Sequence, residues 1–137
     1  MSLACAPARP DPPGRRRALL ADADGPTLAV VRHRLERAGL DVETSSDGPG
    51  ALASIRRSKP DVVAAADALP GLGGVSFLET LRAEGLDVPV VVVAWPDDEA
   101  VARAFAAGAA DVVVRPLSIV EVSARVLRLA ASRAVGT

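Results

Sequence analysis

Five repeats of a β-strand followed by an α-helix, with a parallel sheet covered on both faces, form the α/β fold that this 137-residue sequence predicts. Three observations carry the prediction. From Arg17 onward, short runs of Val, Leu and Ala alternate with segments of helical period. The run Val88–Ala94 is almost pure valine, as expected of a strand buried on both faces. Glycine or proline closes the helical segments at Gly39, Pro60, Gly85 and Gly108.

The first strand is read at Ala18–Ala21 and runs into the acidic turn DADGP. Pro26 opens a helix, because its missing N–H costs nothing in a first turn; Leu28, Val31, Leu35 and Ala38 form one stripe before Gly39. Asp41–Ser46 is a short second strand, and the helix after it carries Leu52 and Ile55 and ends before Pro60. The third strand is Val62–Ala66, and its helix places Val75, Leu78 and Leu81 inward. Val88–Ala94 is the fourth strand, and a helix over Asp98–Ala107 turns Val101 and Phe105 inward. Val112–Val114 is the fifth. Ser118 and Glu121 then have the spacing of a capping box for a last helix with Ile119, Val122, Val126 and Leu129 inward.

Composition narrows the function classes. Half of the residues are apolar, yet there are only two Phe, one Trp and no Tyr, so the core is built from Val, Leu and Ala. A net charge of −1 gives no basis for a nucleic-acid or membrane partner. The single cysteine, Cys5, excludes an internal disulfide and suits a reducing compartment. No apolar run approaches the roughly 20 residues of a membrane helix, and no secretion signal opens the chain, so a cytoplasmic location is expected. Residues 1–16 read as a flexible Pro-rich tail, 17–132 as the βα domain and 133–137 as a short tail with no room for an effector domain. Fifteen of the sixteen basic residues are Arg, with Lys59 the exception, a bias against which any single Arg must be weighed.

The stretches LLADADGP, PDVVAAADALPGLGG, VPVVVVAW and AAGAADVVVRPL, with the closing Ser118–Glu121 box, resemble the receiver domains of bacterial two-component response regulators from Arg17 to about Ser132. The resemblance implies a flavodoxin-like (βα)5 three-layer sandwich with strand order 2-1-3-4-5 and a site at the carboxyl ends of the central strands. In that family an Asp closing strand three accepts a phosphoryl group, two acids after strand one hold Mg²⁺, a Ser or Thr ends strand four, a Lys precedes a Pro after strand five, and an aromatic residue on strand five follows the change. Position by position, the sequence departs from this pattern. The first acid is Asp22, but the second is Ala23, with Asp24 one step on; the acceptor position is Ala66, the hydroxyl position Ala94, the Lys position Arg115 and the switch position Val112.

A methyl group at Ala66 offers no nucleophile, and one carboxylate is a poor Mg²⁺ site. The resemblance with these departures implies a pseudo-receiver: not an enzyme, with no cofactor or metal, acting on other signalling proteins by contact in signal transduction. Self-association through helix 4, strand 5 and helix 5 is the expected surface, with Trp95 and the outward Arg103, Arg125 and Arg128 as contacts. Arg115 is expected to pair with Asp22 in fork geometry and lock one conformation. The alternative is a working acceptor at Asp67, with Asp22, Asp24 and Asp67 holding Mg²⁺; strand alternation aims Asp67 away from the direction of Ala66 unless the strand ends early or bulges. Trp95 either plugs the pocket or serves as a contact. His33, between two arginines opposite the apolar stripe, reads as a surface residue, and Arg15–Arg17 as a solvated run. The Gly71–Gly74 glycines read as loop turns, since their spacing is not that of a dinucleotide fingerprint. A flavin-type site is disfavoured because the first loop is acidic where a phosphate needs donors.

Overall fold

A computed structural model describes residues 16–116 and 118–135. Its elements are β1 (Arg17–Ala21), α1 (Gly25–Arg37), β2 (Asp41–Ser45), α2 (Gly48–Ser58), β3 (Val62–Ala66), α3 (Gly74–Ala83), β4 (Val90–Ala94), α4 (Asp98–Ala106), β5 (Asp111–Val114) and α5 (Ile119–Val135). The strands are parallel in the order β2-β1-β3-β4-β5. The expected architecture and order are both present, and α5 extends three residues past the expected boundary at Ser132. Cys5 and the rest of the Pro-rich stretch lie outside the described residues.

Strand alternation divides the core in two. On one face Leu19, Val63, Val90 and Val92 meet Leu52, Ile55, Phe77, Leu78 and Leu81 of α2 and α3, and Ala104 of α4. On the other, Leu20, Val62, Val91 and Val113 meet Val31 and Leu35 of α1 and Val122 and Val126 of α5. All five residues of β3 and of β4 are buried, as runs without polar alternation require in a sheet covered on both sides.

Three inward positions differ from expectation. Ala38 is the exposed C-cap residue of α1, one step beyond the last buried turn. Phe105 is 48% exposed, because the inward arc of α4 passes through Val101 and Ala104 and leaves the ring at its margin. Phe77, not singled out in the sequence, is buried at the centre of α3.

The helices begin with side-chain caps that satisfy free N–H groups. Asp24 accepts from the Thr27 N–H, Asp47 from that of Gly50 at 2.6 Å, Asp97 from that of Glu99 at 3.0 Å, and Ser118 from that of Glu121 at 3.1 Å. α3 starts at Gly73 with no side-chain cap bond. Gly71 and Gly74 have φ of +81° and +57°, so these glycines do turn the β3–α3 loop.

Candidate functional site

The parallel topology brings the C-terminal tips of β1, β3, β4 and β5 side by side, the place where open α/β sheets bind ligands. β1 delivers Asp22, β3 delivers Ala66 and Asp67, β4 delivers Ala94 and Trp95, and β5 delivers Arg115. Ala66 is 6% exposed, and its methyl lines an apolar crevice of about 30 Å³ together with Leu20, Leu28, Val31 and Val93. Ala94 is buried as well. Ala23 contributes no side-chain oxygen at the β1 turn.

Arg115 and Asp22 meet, as the sequence led us to expect: Nη2 lies 3.2 Å from Oδ2, and the two side chains are 16% and 14% exposed. The fork geometry expected of the pair is absent, because a single nitrogen reaches a single oxygen. The other carboxylate oxygen of Asp22 is occupied, accepting from the Asp24 N–H at 3.0 Å. The guanidinium carbon Cζ lies over the Trp95 ring, 5.4 Å from its centroid. Trp95 does not plug the cleft; it is 64% exposed and stacked on its rim.

The three acids of the alternative site do not converge. Asp24 is spent on capping α1: the Thr27 hydroxyl donates to it at 2.7 Å, and that bond, with the Thr27 backbone N–H, holds its carboxyl below the usual range. Asp67 continues the β3 ladder, its N–H donating to the Val93 carbonyl at 2.8 Å. Its carboxylate lies against Gly74, where an added Cβ would sit 2.5 Å from Oδ1. Asp67 thus folds over the start of α3, as strand alternation favours, and no bulge returns it to Ala66. Among the described residues no three His, Cys, Asp or Glu side chains are grouped so as to hold a metal ion. The donor set at the tips, one carboxylate already paired with a guanidinium, does not fit Mg²⁺, which takes several oxygens at octahedral positions.

The arginines expected to be available for partners are engaged within the chain. Arg125 pairs with Asp111 at 2.6 Å and with Glu121 at 3.2 Å, Arg128 reaches Asp111 at 3.4 Å, and Arg103 lies 3.7 Å from Glu99. Asp111, which sequence reasoning passed over, ties β5 to α5; an acid opening a strand beside a helix with two arginines three residues apart was the available signal. Val112 sits half-buried against the face packed by α3 and α4, a methyl-bearing side chain where an aromatic switch would stand. His33 is exposed, as expected. Arg17 departs from a solvated run, since its guanidinium donates to the Ser58 carbonyl at 3.1 Å.

This sheet order, with five helices on its two faces and Asp22 at a strand tip, is that of a flavodoxin-like α/β domain. Residues 18–127 match the response regulator receiver domain, and the chain belongs to that family. It is 38% identical over 115 residues to the transcriptional regulatory protein PrrA of Mycobacterium tuberculosis, covering 82% of this chain and 49% of the relative. To the alkaline phosphatase synthesis transcriptional regulatory protein PhoP of Bacillus subtilis it is 33% identical, covering 81% and 47%. The chain therefore spans about half the length of these curated relatives. Among solved structures, the Francisella response regulator 1452 receiver domain superposes with a TM-score of 0.81 at 28% identity, over 85% of this chain and 98% of that one.

Proposed function

We propose that this receiver domain signals without being phosphorylated, as a non-enzymatic module that passes information to other signalling proteins by contact alone. The observation that carries this reading is the tip of β3. The methyl of Ala66 closes an apolar crevice there, while the neighbouring Asp67 turns its carboxylate to Gly74. An acyl phosphate needs an attacking carboxylate beside a bound cation, and neither Ala66 nor the separated Asp22, Asp24 and Asp67 supports that arrangement. The α4–β5–α5 face is the proposed contact surface, including self-association. Its arginines act there as parts of the Asp111 network and not as free charges. Among the described residues no helix is long and apolar enough to cross a membrane.

The test is intact-mass measurement after incubation with a small-molecule phosphodonor and Mg²⁺, with an Asp-bearing receiver treated in parallel. No mass gain is expected for this chain. Gain of one phosphoryl group mapping to Asp67 would overturn the proposal in favour of the displaced acceptor.

A further inference from the structure

Asp22, Arg115 and Trp95 stand on three different strand tips and make one continuous contact. Nη2 of the Arg115 guanidinium meets the Asp22 carboxylate at 3.2 Å while its Cζ lies over the indole of Trp95, 5.4 Å from the ring centroid. The backbone N–H of Arg115 donates to the Ala94 carbonyl at 2.7 Å, which sets the end of β5 against the residue that precedes Trp95. A guanidinium can serve an acid with its edge and an aromatic ring with its face at once, because its charge is spread over a plane; a lysine ammonium is a point charge and lacks that second surface.

We propose that Arg115 is a built-in cation standing in for a bound metal, neutralising Asp22 within the chain and fixing the Trp95 ring in a single outward position. Both oxygens of Asp22 are already used, one by Arg115 and the other by the Asp24 N–H. A divalent cation would have to expel a partly buried guanidinium to gain one carboxylate. The cleft is therefore charge-balanced without added ion, and a tip that would otherwise respond to metal is held still. The inference goes beyond the proposed function and rests on it in one respect, that Asp67 does not rebuild an acidic cluster beside Asp22.

Because Trp95 is the single tryptophan, the emission comes from this ring alone. Acrylamide quenching of Trp95 is to be measured in the full chain and in the Asp22→Asn, Arg115→Gln and Arg115→Lys variants, with circular dichroism confirming the fold of each. Quenching is expected to rise in all three. The stacked population should fall roughly two- to fivefold, the factor equivalent to a cation–π contact of about 0.5–1 kcal/mol. Asp22→Asn is the deciding variant, because Asp22 lies on another strand and acts on the indole only through Arg115. MgCl2 added to the unmodified chain is expected to leave Trp95 emission unchanged. Unchanged quenching in a folded Asp22→Asn variant, or a saturable response of the unmodified chain to MgCl2, overturns the proposal. Neither result depends on phosphoryl transfer, so this failure and a failure of the proposed function read out separately.

Discussion

At the N-terminal end of the sheet, where α2, α3 and α4 finish, polar groups tie the elements together, whereas at the C-terminal end β1, β3 and β4 finish in Ala21, Ala66 and Ala94 and one ion pair spans the tips. The Arg17 N–H donates to Asp61 at 2.9 Å and its guanidinium to the Ser58 carbonyl. Arg56 pairs with Glu84, and Arg82 donates to the Gly108 carbonyl at 2.6 Å. The two ends thus divide their tasks, one stapling successive βα units and the other presenting side chains to the outside. Residues at the tips can change their chemistry at less cost to the scaffold than residues at the stapled end, which is how a receiver fold persists here around a methyl group at Ala66.

The largest expected effect is at the stapled end. Asp61→Ala leaves a part-buried strand N–H without its charged acceptor and should lower the unfolding free energy by about 2 kcal/mol, read from urea denaturation. Equal loss on changing a tip residue would erase the contrast between the ends. A smaller effect is expected at the tips. A double-mutant cycle of Asp22→Asn and Arg115→Gln should give a coupling of about 1 kcal/mol, since the pair is mostly buried but makes a single contact. A coupling near zero would mean that the tips contribute nothing to stability.

The smallest effect concerns Glu43 on β2. The Ser58 hydroxyl, and after it Arg57, hold its carboxyl below the ordinary value of 4.5. A depressed carboxyl contributes stability that is fully present above its unfolded value and lost as pH falls through the lower folded one. Glu43→Gln should therefore lower thermal stability slightly at neutral pH, with the difference from the unmodified chain vanishing as pH falls below about 4.5, so that the acid limb of the profile flattens. The Glu43 side chain is half-exposed, so added salt should shrink the difference.

What could be read in advance follows the range of each interaction. Strand runs such as Val62–Ala66 declare themselves because burial on both faces removes polar residues from a local stretch. The tip residues followed from the resemblance to receiver domains, which placed Asp22, Ala66 and Arg115 together at the ends of those same runs. Helix faces were less legible where small residues point inward: on α4, Ala104 is buried while the larger Phe105 is not, and size misled the reading. The side-chain staples of Arg17, Arg56 and Arg82 join groups 26 to 41 residues apart, and no local pattern announces them. The Arg115–Trp95 stack was missed for a related reason, because ring orientation depends on the path of the loop after β4.

The strand order has one more outcome. The stretch VVVVA in β4 combines high β-propensity, no charge and no proline, the makings of a segment that pairs with copies of itself in fibres. Enclosed between β3 and β5, it offers no free edge. The outer strands that do face other chains are acidic or short: β2 carries Asp41 and Glu43, and the four residues of β5 begin with Asp111 and run into Pro116, which has no N–H to offer a neighbour. The most adhesive part of the polypeptide is thus kept at the centre of the sheet, out of reach of intermolecular β-pairing while the domain stays folded.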